Sequence, residues 1–421
     1  MKKKNIIKNH YRIIWPDADF FVLMDEMVLA SNYDFLVFTH QKKAGDVCTG
    51  NVCTGSVYIS TDSEKKVGER GARLFKNVKQ IRKILFQGDT MASGISKLAS
   101  GISKSALQRK TDQEIKEILK EHYSQAIPFF TIYGFIDEVY AAKVGQAIRA
   151  FVFKKIKNEA EAARIFSLLL NSSKEERIIS EREDALKKIA ASKTIIDLCW
   201  SVRETGSKKL SFRSEVNKIY ESLVVILCEI ARRFYLSPEQ ARFCSYKEIN
   251  ALLRGKSIDI NEVNKRIKSF VCLRRNGKTL FYTGSKAEKM IEKLQPEVEE
   301  GIVELSGDPA SAGVAQGTVK IIPVVFDRGG EAVLKKKIKE MEKGQIMVSR
   351  TTGPETIMAC RKAAAIIADE GGINSHAAII SRELGIPGIV NVKIATRVLK
   401  DGDMVEVDGN TGIIKIIKKA G

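Results

Sequence analysis

At 421 residues, 44% of them hydrophobic, the chain is long enough for two or three domains, each with its own core. No apolar run approaches the roughly 20 residues a bilayer span requires, and the basic opening MKKKNIIKNHYRIIW lacks the apolar stretch of a secretory signal. Seven scattered cysteines argue for reduced thiols in a cytoplasmic setting, and the net charge of +19 comes with no zinc-finger spacing and no aromatic ribonucleoprotein strand.

Residues 1–62 read as a small mixed α/β segment, because YDFLVFTH and SVYIST alternate β-branched, aromatic and polar residues as strands do. Within it CTGNVCTG pairs Cys48 with Cys53. We read a short duplication in a loop; the alternative is a thiol pair for metal or redox use, with only His40 close in sequence. From residue 63 to 294 the helical period dominates. Capping boxes mark the starts of helices at Thr111 with Glu114, Ser173 with Glu176, Ser237 with Gln240, and Ser245 with Glu248. Pro238 stands at a first helical position, and Gly255 stops the helix opened by Ser245. After Thr111, residues Ile115, Ile118, Leu119 and Tyr123 share one face. The near-repeat SGISKLA/SGISKSA spaces Ile95 and Ile102 on one stripe, yet its glycines weaken a helix there, so a local duplication is expected rather than a coiled coil. These signals specify a helical domain and no chemistry. Most of the positive charge lies upstream of Ser306, since 17 basic and 13 acidic residues follow it. It is spread over mixed faces, as at Glu117, Lys120 and Glu121, and reads as a generally basic surface rather than a nucleic-acid site.

Residues 295–306 read as a linker, and from residue 307 to 421 the texture changes. Short strands (GTVKII, QIMVS, AAIIAD, GIVNV, DMVEVDG, GIIKII) are punctuated by glycines and interrupted by two short helices, which specifies a compact α/β domain. One helix lies in TTGPETIMACRKA, where Pro354 and Glu355 suit a helix start. The other lies in EGGINSHAAIISRELG. Gly371 and Gly372 permit torsions and close approaches that other residues do not, Asn374 or Ser375 caps the helix, and His376 falls in its first turn. Gly385 is the stop, with Pro387 beyond it. Only four histidines occur in the chain. One placed here faces unpaired amides and the positive helix end, which favour a neutral, nucleophilic imidazole and would stabilise a phosphoryl group attached to it. The same placement suits a histidine used for packing or as a second cap. Local geometry permits phosphate chemistry without requiring it.

The run GDPASAGVAQGTVKII … GQIMVSRTTGPETIMACRKAAAIIADEGGINSHAAIISRELGIPGIVNV … LKDGDMVEVDGNTGIIKII closely resembles the phosphohistidine (swivelling, or mobile) domain of the phosphoenolpyruvate-utilising enzymes. That family includes phosphoenolpyruvate synthase, pyruvate phosphate dikinase and rifampicin phosphotransferase. The resemblance implies that His376 carries the phosphoryl group, supported by the loop residues Gly371, Gly372, Asn374 and Ser375. It also implies that Thr351 and Thr352 face the histidine loop. Arg382 could reach a phosphate or form a structural ion pair with a strand-end carboxylate such as Asp369; we take the structural role. Several dikinases have a threonine two residues before the histidine where regulatory phosphorylation occurs, and Asn374 stands there, so that control is not expected. A weaker likeness covers Lys188 to Arg274, where Arg203 and Glu204 help match the family's linker helices.

In the family the mobile domain shuttles between an ATP-grasp site and an acceptor site such as a phosphoenolpyruvate-binding barrel. With the chain ending at Gly421, no barrel is expected to follow, and no ATP-grasp signature, glycine-rich phosphate loop or paired magnesium carboxylates is legible upstream. The expected protein is mainly helical in its N-terminal region with a small α/β start, followed by the C-terminal α/β domain. It is read as a phosphotransfer component, incomplete as a stand-alone enzyme, that carries a phosphoryl group on His376. Phosphoenolpyruvate, or ATP with magnesium, enters only through the resemblance; no metal site or other cofactor is expected in the chain. The donor kinase or ATP-grasp protein and the acceptor would act in trans on a small phosphorylated ligand, without membrane or nucleic acid. The alternative is a non-catalytic binding or regulatory protein that retains the mobile-domain fold.

Overall fold

In the computed structural model, residues 11–18, 36–41, 54–136, 138–275, 278–294, 301–323 and 331–420 are described. Cys48, Cys53 and the first half of the expected linker lie outside them. Among the described residues no helix is long and apolar enough to cross a membrane. The cysteines at 199, 228, 244 and 360 are free thiols. Two compact units are each assembled from three chain segments. One comprises Met1–Ser63, Lys83–Phe135 and Leu210–Pro296; the other comprises Glu64–Arg82, Ile136–Lys209 and Glu297–Gly421.

In the first unit the local helix signals act as expected. Glu114 accepts the Thr111 amide at 2.7 Å while Thr111 Oγ1 accepts the Glu114 amide at 3.2 Å, and the helix Asp112–Phe135 follows. Its buried stripe runs through Ile115, Leu119, His122 and Ala126, leaving Ile118 and Tyr123 half-buried at its margin. Ser237 with Gln240 and Ser245 with Glu248 form complete capping boxes. The first SGISK copy lies within the helix Val78–Ser100, which stops before Gly101, so the repeat makes no continuous stripe. Strands β1 (Tyr11–Ala18), β2 (Leu36–Gln41) and β3 (Thr54–Ser60) join β4 (Ser269–Arg275) and β5 (Lys278–Thr283) in one antiparallel sheet of order β1-β3-β2-β4-β5. Val37 of β2 stands opposite Leu273 of β4. The last two strands fall inside a stretch whose dominant period is helical, and the helix Gly284–Leu294 covers β4 with Ala287 and Ile291.

In the second unit, helices Glu138–Lys155, Glu159–Leu170 and Glu176–Lys188 and the first part of Lys193–Arg233 accompany an eight-stranded sheet. The box expected at Ser173 does not form. The helix begins two residues later than that box implies, because Asn171 Oδ1 accepts the Ser173 amide at 2.8 Å and Ser173 Oγ then caps only the Glu175 amide. The sheet contains β6 (Glu304–Ser306), β7 (Asp308–Ser311), β8 (Val314–Ile321), β9 (Ile346–Ser349), β10 (Ala365–Ala368), β11 (Gly388–Val390), β12 (Met404–Asp408) and β13 (Ile413–Lys418). Its order is β6-β13-β12-β8-β9-β10-β11-β7. The final residues of the expected linker thus form a strand, with Leu305 opposite Ile414.

Strands β8 to β11 run parallel, and β9 and β10 are fully buried on both faces, as parallel strands between two layers must be. Alternation divides them cleanly. Ile346, Val348, Ala365 and Ile367 enter one core, with Val405 and Ile414; Met347, Ile366 and Ala368 enter the other, with Ala377 and Ala378. A helix at Glu331–Glu340, additional to the two expected in this domain, closes the second core through Leu334, with Met341 just beyond its end.

Candidate functional site

Neighbouring parallel strands β9 and β10 release their loops from the same sheet edge, the end at which α/β sheets hold ligands. After β9, Ser349 Oγ lies 2.8 Å from the Ile322 carbonyl and 2.6 Å from the Thr351 carbonyl, which turns the chain sharply. Thr352 then points inward and is 1% exposed. Pro354 opens a single 3₁₀ turn, Pro354–Thr356, where Thr356 Oγ1 bonds the Gly353 carbonyl at 2.8 Å.

After β10 the chain reaches the glycine pair. Gly371 sits at φ +100°, and a side-chain carbon there would lie 2.5 Å from Ser375 Cβ, so both torsion and space demand glycine. The Ser375 amide donates to the Gly372 carbonyl at 2.9 Å. Ser375 is the N-cap: its Oγ accepts the Ala378 amide at 3.2 Å, and the helix His376–Leu384 begins with His376 itself. Ala377 and Ala378 are small enough to lay this helix on β10, and Gly385 ends it at φ +67°.

Thr352 Oγ1 lies 2.8 Å from His376 Nδ1. With the proton on Nδ1 and Thr352 accepting it, the imidazole keeps its lone pair on Nε2. His376 is half-buried at the positive end of its helix. The loop thus brings Gly371, Gly372, Asn374, Ser375, His376 and Thr352 together. Thr351 contributes its carbonyl to the turn.

Two expected residues do something other than the sequence suggests. Asn374 does not cap the helix; it is 1% exposed, and its Nδ2 donates to Thr205 Oγ1 at 3.0 Å. Arg382 makes no ion pair with Asp369. Its guanidinium donates to the Ile373 carbonyl at 2.8 Å and the Ala310 carbonyl at 3.3 Å, tying the histidine loop to β7, and burial pushes it down to about 10. Asp369 is taken by the Ala395 amide and by the amide and hydroxyl of Thr396, and burial raises its carboxyl above the usual range. Arg350, just ahead of the two threonines, is partly buried beside Glu370 and Asp369; burial lowers its guanidinium while the two carboxylates oppose that. Thr205 carried no local signal of its own. The adjacent Gly206, a glycine inside a 41-residue helix, was the available hint of a close packing point.

A family model described as "PEP-utilising enzyme, mobile domain" matches residues 341–412. Over 190 residues, 42% of this chain, the sequence is 38% identical to a probable phosphoenolpyruvate synthase of Archaeoglobus fulgidus, of which the match covers 23%. It is 42% identical over 133 residues to the phosphoenolpyruvate synthase of Aeropyrum pernix, covering 31% of this chain and 15% of that protein. It is 47% identical over 118 residues to a probable phosphoenolpyruvate synthase of Pyrococcus abyssi, covering 28% and 13% respectively. The chain therefore spans about a quarter or less of the length of these relatives. The matched stretch holds β9, β10 and the helix that starts at His376. Over this C-terminal stretch the chain is similar to the mobile domain of the phosphoenolpyruvate-utilising enzymes.

Proposed function

We propose that the protein is a phosphotransfer component in which His376 accepts a phosphoryl group and passes it on. The observation that carries this reading is the Thr352–His376 hydrogen bond at the start of a capped helix. A proton held on Nδ1 by Thr352 directs the nucleophilic lone pair to Nε2. That nitrogen attacks phosphorus, an N–P bond forms, and the P–O bond to the donor breaks with its electron pair leaving on oxygen. The positive end of the capped helix favours the negative charge that arrives. The work asked of the protein is positioning and charge stabilisation.

Donor and acceptor sites are assigned to other proteins, with phosphoenolpyruvate or ATP as the donor class the family supports. Magnesium belongs with that donor. Among the described residues no three His, Cys, Asp or Glu side chains converge to hold an ion, and no step is routed through one.

The test is incorporation of radiolabelled phosphate from phosphoenolpyruvate or from ATP, by the purified protein alone and with cell extract. Acid-labile, base-stable label is expected on wild type and absent from His376→Ala. Label appearing only with extract places the donor enzyme on another chain. Equal, negligible incorporation by both proteins under every condition would sink the reading and leave a binding module with the mobile-domain fold.

A further inference from the structure

We infer that Thr205, in the helical part of the second unit, is a positioning residue for His376, acting through the buried Asn374–Thr205 hydrogen bond. The inference rests on the phosphotransfer reading of His376. Thr205 is fully buried, and its hydroxyl donates to the Ser201 carbonyl at 2.7 Å. With its hydrogen so committed, Oγ1 can only accept from Asn374, which sets the orientation of that amide. Asn374 Oδ1 is buried without a hydrogen-bond partner, so the amide of this side chain is anchored through Nδ2.

The neighbouring contacts hold the same loop. Gly206 leaves room for Asn374 and Ile379: a side-chain carbon there would lie 3.3 Å from Ile379 Cδ1 and 3.6 Å from Asn374 Oδ1. Gly145, on the helix Glu138–Lys155, seats Ile373, whose Cδ1 would be 2.5 Å from a side-chain carbon at that glycine. Two helices outside the family-matched stretch therefore grip the two residues that lead to Ser375 and His376. The imidazole can keep Nδ1 on Thr352 only while the backbone entering the helix stays where this grip sets it. A displacement of about an ångström in such an arrangement is enough to slow group transfer.

The experiment uses the whole 421-residue chain with ring-¹⁵N-labelled histidine. Four histidines give few signals, and His376→Gln identifies the one of interest. Thr205→Val removes the acceptor and keeps the shape. It is expected to shift the His376 ring resonances, reduce the Nδ1–H tautomer, and slow labelling from phosphoenolpyruvate or ATP with extract by roughly tenfold. Thr205→Ser is expected to restore both readouts to within about twofold of wild type. His376 resonances and tautomer unchanged in Thr205→Val, with labelling at the wild-type rate, overturn the inference. Wild type that takes no label, while Thr205→Val still shifts the His376 signals, supports the positioning role and removes the phosphotransfer reading instead. Should Thr205→Val not fold, Asn374→Ala breaks the same bond from the loop side. It must produce the same shift, and unchanged His376 signals there overturn the inference as well.

Discussion

Thr352 and His376 stand 24 residues apart, and one hydrogen bond joins Thr352 Oγ1 to His376 Nδ1; in the proposed transfer it selects the attacking imidazole nitrogen. Thr352→Val keeps the shape and removes that bond, a net loss of about 0.5–1.5 kcal/mol, so label should reach His376 roughly 2- to 10-fold more slowly. Thr352→Ser should stay near wild type, and equal initial rates for valine and wild type would remove Thr352 from the mechanism. His376 was legible because a scarce residue type follows a glycine pair and precedes an apolar helix. Thr352 was legible only as half of a threonine pair before a proline, since nothing local says which hydroxyl turns inward. Asn374 and Arg382 were legible as important but not in role. Their partners, Thr205 and the carbonyls of Ile373 and Ala310, are set by packing between distant segments.

At the scale of elements, helix starts and stops were read most reliably because their physics spans three or four residues. The failure at Ser173 is instructive: Asn171 competes for the Ser173 amide, and a capping box cannot form once its cap is held in another turn. The helix Glu331–Glu340 follows a glycine pair in a strongly charged stretch, and its apolar signal (Leu334, Ile338, Met341) is sparse. Two glycines of the histidine helix make separate predictions. Gly385 has φ +67° with open space around it, so Gly385→Ala should cost roughly 1–2 kcal/mol from the backbone alone. Gly371→Ala adds a collision with Ser375, the helix cap, and should cost more and also depress labelling of His376. Urea midpoints of the two variants, measured beside labelling rates, check both; equal losses in stability would contradict the assigned geometry.

At the scale of the whole molecule, acid stability should carry the mark of one buried histidine. His122 is 3% exposed in the first unit, with Nε2 2.7 Å from Ser222 Oγ and no hydrogen-bond partner at Nδ1. Burial lowers its pKa from the usual 6.5 to about 4. Between those values the unfolded chain binds a proton that the folded chain refuses, so stability is full above about pH 6.5 and falls as pH drops toward 4. The loss from pH 7 to pH 5 should be about 2 kcal/mol, and His122→Gln should flatten it. Urea denaturation at the two pH values measures this, and an equally steep loss in the variant would assign the pH dependence elsewhere.

The sequence by itself determined the helix caps, the alternating strands of the C-terminal domain, and the glycine–histidine motif within the stretch that matches the mobile-domain family model. Each of these rests on short-range physics: torsion, capping, and side-chain period. Only the tertiary structure decided that β4 and β5 pair into a sheet with strands from the first 60 residues. It alone also set Thr352 against His376, and Asn374 on Thr205 within one compact unit. Those contacts join segments separated by 24 to more than 200 residues. They depend on which buried faces meet, and a chain pattern states that a face is apolar without stating what will cover it.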